Sequence, residues 1–128
     1  MVVTLITGGL LGIILFLLSF WVVRRRMEAK VMVGDGADPE LVMRMRAQAN
    51  FVEYAPLCLI LLLLAEQSMA GKTLPIVAAA LLVVGRIAHP FGMARPAPNP
   101  FRMIGILGTW LALLILSVSV LVVAAGLV

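Results

Sequence analysis

Of the 128 residues, 63% are hydrophobic and only 12% are charged, and the mean hydropathy is +1.16. That balance lies outside the range of soluble globular chains, so the sequence describes an integral membrane protein. The net charge of +4 comes from basic residues confined to particular connections, which makes it a topology signal with little bearing on nucleic acid.

Apolar runs at roughly 2–23, 47–65, 74–93 and 103–128 each approach the ~20 residues that a helix needs to cross hydrocarbon. They predict one all-α domain over 1–128, an integral membrane four-helix bundle with helices at roughly 2–23, 39–67, 74–93 and 101–128. The first run, VVTLITGGLLGIILFLLSFWVV, has no ionisable residue, and the spacing of Gly8 and Gly12 permits close helix contact. Its basic cluster Arg24-Arg25-Arg26 follows the apolar stretch, so the run reads as a retained helix rather than a secretory signal.

Gly34, Asp35, Gly36 and Asp38 give a polar loop, and Asp38-Pro39-Glu40 has the cap, first-turn proline and acidic first turn of a helix start. Helix two then runs to about Gln67, roughly 43 Å at 1.5 Å per residue against ~30 Å of hydrocarbon, so its first turns project into the cytoplasm. Pro56 removes a backbone donor inside it and predicts a kink. Cys58 is the only cysteine, which excludes an intrachain disulfide and a Cys-based metal site, and its apolar surroundings read as those of a buried, inert thiol.

The short turn SMAGKT leads to helix three, with Pro75 in its first turn and a small packing face from Ala78, Ala79, Ala80 and Gly85. That helix ends around HPFGMARPAPNP, whose prolines cannot continue it, and Asn99-Pro100 restarts the chain as helix four. Arginines and lysine flank the first and third connections, whereas the second contains only Lys72. Connections one and three are therefore expected in the cytoplasm and both termini in the periplasm.

The candidate chemistry lies at the start of helix two. On a helix of about 100° per residue, Arg46, Asn50 and Glu53 form a stripe about 60° wide, with Glu53 about 10 Å deeper than Arg46. An ionised carboxylate at that depth must face protein or a wet cavity. Arg86 and His89 share a face of helix three at comparable depth, and Arg86 is the expected partner of Glu53. Such a pair could simply tie two helices together, and His89, with no second His or acidic ligand beside it, supplies no metal site. Alternatively, arginine at the mouth with an amide and a carboxylate inside suits a small ligand that bears carboxylates and an amine.

The string Arg46-Ala47-Gln48-x-Asn50-x-x-Glu53-Tyr54-x-Pro56-Leu57 resembles the signature of the MAPEG family, the membrane-associated proteins in eicosanoid and glutathione metabolism. Helix number, length and the polar first loop agree over essentially the whole chain. The resemblance implies a homotrimer that binds glutathione between subunits near the cytoplasmic face. By position, Arg46, Gln48, Asn50, Glu53, Tyr54, Arg86 and His89 would be glutathione contacts, with Arg25, Arg26 and Arg102 as the basic residues that hold the thiolate. His89 and Met93 stand where the family's helix three carries tyrosines, a departure expected of a divergent bacterial branch.

The implied activity is that of a glutathione transferase or peroxidase of the inner membrane, acting on an apolar electrophile or lipid hydroperoxide that arrives from the bilayer. A non-catalytic scaffold that binds lipid or thiol would use the same stripe. Small multidrug exporters also have four helices, but they are known for a membrane-embedded Glu in helix one, and helix one here has none.

Overall fold

The computed structural model describes residues 1–69 and 71–127. They form four helices, α1 Val2–Ala29, α2 Pro39–Ser68, α3 Thr73–Met93 and α4 Pro100–Ala124, with no strand among the described residues. Each is long and apolar enough to cross a membrane. The expected helix four reached to 128; α4 stops at Ala124, and Val128 lies outside the described residues.

α1 continues through the arginine cluster, six residues beyond the expected end at Val23. Charged residues are good helix formers once pairs form along one face, and Glu28 takes Arg24 at 2.8 Å and Arg25 at 3.6 Å. The helix stops where Lys30 turns left-handed at φ 57°, with the Val31 N–H returning to the Arg26 carbonyl at 3.0 Å. Its 28 residues span about 42 Å, so the last turns stand in the headgroup layer.

Both capped helix starts form as their sequences predict. The Asp38 carboxylate accepts from the Leu41 N–H at 2.9 Å to open α2, and the Asn99 side chain accepts from the Arg102 N–H at 3.0 Å to open α4. Pro56 lies inside α2 and Pro90 inside α3, so the carbonyls of Val52 and Arg86 receive no N–H from the residue four positions on.

α2 and α3 are the inner pair: α1 packs on both, α4 packs on both, and α1 and α4 do not touch among the described residues. The core draws Leu11 and Leu18 from α1, Phe51, Cys58 and Leu62 from α2, Ala78 and Leu82 from α3, and Ala112 and Leu116 from α4. The closest approach is between α3 and α4. A Cβ added to Gly85 would stand 2.9 Å from the Gly105 carbonyl oxygen, and one added to Gly105 would stand 2.7 Å from the His89 Cα. Gly8 and Gly12, the expected close-contact pair, play no such part: beside Gly12 there is open space, and a Cβ on Gly8 would make ordinary contact with Leu59. The helix-packing glycines are on α3 and α4.

Large apolar side chains such as Phe16, Ile60, Val84 and Leu114 point away from the bundle, as hydrocarbon as solvent allows. The hydroxyls of Thr7, Ser19, Thr109 and Ser119 each donate to the carbonyl four residues earlier, at 2.7 to 2.8 Å, and so bury no unpaired donor. At the far end of the bundle, Glu66 is 2% exposed and accepts from the Val3 N–H, the Thr4 N–H and the Thr4 hydroxyl at 3.0, 2.8 and 2.7 Å. A carboxylate from α2 thus caps the start of α1, where free N–H groups and the helix dipole favour negative charge.

Candidate functional site

The expected Glu53 partner for Arg86 is not the one the fold supplies. Arg86 is 1% exposed, and its Nη1 donates to the Asn50 side-chain oxygen at 2.9 Å and the Asn50 carbonyl at 3.3 Å, while Nη2 donates to the Gly105 carbonyl at 3.2 Å. Glu53 is exposed and makes no ion pair among the described residues. The physical reason is rotational. Asn50 lies on the edge of the stripe that turns toward α3, while Glu53, about 60° further round, points out of the bundle. Arg86 therefore ties α3 to α2 and α4 through neutral oxygens, with the Tyr54 ring 5.8 Å from its Cζ.

Asn50 spends its carbonyl oxygen on Arg86 and keeps its amide N–H groups for another partner. Arg46 and Glu53 are exposed on the same flank, and Tyr54 is half-buried beside them. His89 is buried where α3 meets Gly105 of α4.

Gln48 lies on the opposite flank of α2, about 160° from Asn50. Its amide Nε2 donates to the Ser19 hydroxyl at 2.8 Å, which leaves its carbonyl oxygen as a free acceptor. Between α1 and α2 this side chain lines an open cavity of about 540 Å³ with Ser19, Arg26, Met45 and Val52. Ser19 has no signal of its own in the sequence; only its pairing with Gln48 brings it forward.

The two arginines after helix one separate in role. Arg25 is committed to carboxylates, at 2.7 Å from Asp38, 3.2 Å from Glu40 and 3.6 Å from Glu28. Together the Leu41 N–H and the Arg25 guanidinium hold the Asp38 carboxyl below its ordinary range. Arg26 instead lines the α1–α2 cavity, donating to the Gly34 carbonyl at 2.8 Å and to the Met45 sulfur at 3.4 Å. It is the one of the two with access to a ligand there.

Arg102 is exposed in the first turn of α4, beside a small cavity shared with Ala97, Pro98 and Met103. Gly92 brings it there, since any Cβ on Gly92 would overlap the Arg102 main chain. Arg44, which the stripe analysis passed over, is buried under Trp21, with its Cζ 5.0 Å from the ring, donating to the Trp21 carbonyl at 2.8 Å and pairing with Glu40. It ties the end of α1 to the start of α2. No group of three or more His, Cys, Asp or Glu side chains able to hold a metal ion lies among the described residues.

An all-helical bundle with four bilayer-length helices, carrying a polar amide and arginine cluster toward the start of α2, defines an integral membrane protein. The profile of the MAPEG family matches residues 4–122, and the chain belongs to that family. It is 34% identical over 105 residues to the inner membrane protein YecN of Escherichia coli K12, covering 82% of this chain and 79% of that one. The YecN of Escherichia coli O6:H1 matches to the same extent. No solved structure gives a significant match.

Proposed function

We propose that the protein is a glutathione-dependent transferase or peroxidase of the bacterial inner membrane, working as a homotrimer with its sites between subunits. The observation that carries this reading is the division of the ligand groups between two flanks of α2. Arg46, Asn50, Glu53 and Tyr54 face one side, while Gln48 and Arg26 face the other across the α1–α2 cavity. One copy cannot bring both sets to a single small molecule. A neighbouring copy that lays its Gln48 flank against the Arg46 flank can, and a closed cyclic oligomer repeats that contact.

The unpaired groups suit glutathione. Arg46 takes a carboxylate, Glu53 and the Gln48 carbonyl accept from the ammonium and amide N–H groups, and the Asn50 amide donates. At the thiol end, a pKa of about 8.5 leaves only about 3% thiolate at pH 7, and lowering it by two units needs about 2.7 kcal/mol of differential stabilisation. Arg26 and Arg102 are the cations free to supply it. The thiolate attacks the electrophilic carbon of an apolar substrate from the bilayer and expels its leaving group; with a lipid hydroperoxide it attacks the terminal oxygen, the O–O bond breaks, the alkoxide takes a proton to leave as the alcohol, and a second glutathione reduces the resulting sulfenic acid to give glutathione disulfide and water.

The test is conjugation of glutathione to 1-chloro-2,4-dinitrobenzene by the solubilised protein, with glutathione binding measured alongside. Turnover and binding that both fall in Arg46→Ala support the proposal. Binding without turnover identifies the scaffold reading, in which His89 and Met93 have replaced the groups that activate the thiol. Absence of glutathione binding refutes the enzyme and the thiol-binding scaffold alike.

A further inference from the structure

The arginines around the first connection are answered within the chain: Glu28 takes Arg24, Asp38 takes Arg25, Glu40 takes Arg44, and the Gly34 carbonyl accepts from Arg26. The third connection has no such answer. No Asp or Glu follows Glu66 in the sequence, and Arg95, exposed just beyond the end of α3 at Met93, makes no ion pair and no side-chain hydrogen bond among the described residues. The proposed glutathione site leaves this residue unused.

Arg95 is nonetheless held in place. Its Cζ lies 4.3 Å from the centroid of the Phe101 ring, so the planar guanidinium has an aromatic support while its N–H donors stay open. Asn99 laces the connection beneath it, donating to the Gly92 carbonyl at 2.9 Å and to the Pro96 carbonyl at 3.1 Å, and the Arg95 N–H returns to the Gly92 carbonyl at 3.3 Å. What results is a preorganised fork of donors of the kind that grips a phosphate with two parallel hydrogen bonds.

Depth decides where that phosphate comes from. α3 has 21 residues, about 31 Å, which matches the ~30 Å of hydrocarbon, whereas α1 and α2, with 28 and 30 residues, overshoot it. Arg95 therefore lies at the headgroup layer, and Phe91, Phe101 and Met103 around it are exposed as lipid-facing side chains are. Lys72, just before the other end of α3, is already committed, its ammonium donating to the Glu66 carbonyl at 2.6 Å.

We propose that Arg95, supported by Phe101, docks the headgroup phosphate of an anionic phospholipid whose acyl chains descend past Phe91. A zwitterionic headgroup carries its own cation beside the phosphate and gains less from the unanswered charge. The site is independent of glutathione and of which way the bundle lies in the bilayer.

Native mass spectrometry of the full chain released from mild detergent, titrated with dioleoyl phosphatidylglycerol or dioleoyl phosphatidylcholine, gives the ratio of dissociation constants for the first lipid bound. The wild type should prefer phosphatidylglycerol by about fivefold, the factor for one basic residue at an anionic surface. Arg95→Gln should abolish that preference, Phe101→Leu should lower it about twofold, and Arg24→Gln, an equal change of net charge at an arginine that Glu28 already answers, should leave it unchanged. All three positions are exposed, so the fold survives each substitution. A wild type without preference overturns the proposal, and so does an Arg24→Gln loss as large as that of Arg95→Gln, which would make the preference one of net charge alone. Displacement of phosphatidylglycerol by inorganic phosphate, beyond that by chloride at matched ionic strength, also overturns it and makes the site one for soluble anions.

Discussion

Asn50→Ala is the perturbation that distinguishes the observed clamp on Arg86 from the expected ion pair with Glu53. The substitution deletes the 2.9 Å acceptor of a guanidinium that is 1% exposed. What remains is the longer bond to the residue 50 carbonyl at 3.3 Å and the bond to Gly105 at 3.2 Å. A hydrogen bond to a charged donor contributes about 1.5 to 3 kcal/mol, and its loss leaves a buried guanidinium with only the two longer bonds. Unfolding in mixed detergent micelles of rising dodecyl sulfate content, followed by circular dichroism, should show Asn50→Ala less stable by about 2 kcal/mol. Glu53→Gln, which alters only an exposed side chain, should stay within about 0.5 kcal/mol of the wild type. The reverse order, with Glu53→Gln the damaging change and Asn50→Ala neutral, would refute the clamp and restore the ion pair.

Other consequences are equally specific. Gly92→Ala should destabilise by about 1 to 3 kcal/mol, since its methyl group meets the backbone of Arg102, while Gly12→Ala, which faces open space, should stay within about 0.5 kcal/mol in the same unfolding assay. Glu66→Ala should lower stability by about 2 kcal/mol and speed amide exchange at Val3 and Thr4, whose N–H groups it caps. Asp38 has a depressed carboxyl pKa, so its contribution to the first loop is complete above the unfolded value of about 3.9 and is lost as pH falls through the lower folded value. Exchange at the Leu41 amide should accelerate across that acid range in the wild type and show no such step in Asp38→Asn. Arg46→Ala should weaken glutathione binding by about 1.5 to 3 kcal/mol in titration calorimetry without lowering the unfolding midpoint, because the side chain is exposed.

Much of the fold is written in short-range signals. Four apolar runs of bilayer length, the Asp38-Pro39-Glu40 and Asn99-Pro100 starts, and the prolines after α3 are local features, and the helices begin where those caps predict. The end of α1 was not legible in the same way, because hydropathy marks the edge of the membrane and not the edge of the helix. Arg24 and Glu28 pair outside the lipid and carry the helix on. Which glycines pack, and which side chain answers Arg86, depend on how helices rotate about their axes. A stripe 60° wide fixes its members relative to each other but not to the neighbouring helix. For the same reason Glu66 read as the unremarked end of an apolar run, although it accepts three hydrogen bonds from the start of α1. Ser19 and Arg44 gain meaning only from contacts across the fold.

The central claim is that glutathione binds where two copies of the chain meet, with Arg46 from one and Gln48 from the next. Co-expression of differently tagged Arg46→Ala and Gln48→Ala chains, followed by purification through both tags and equilibrium dialysis with labelled glutathione, tests it most directly. Neither variant alone should bind near the wild-type affinity. Mixed oligomers should recover high-affinity sites at roughly the share of interfaces that pair an intact Arg46 with an intact Gln48, about a quarter for random association before tag selection. Mixed oligomers that bind no better than the two parents would contradict the shared site.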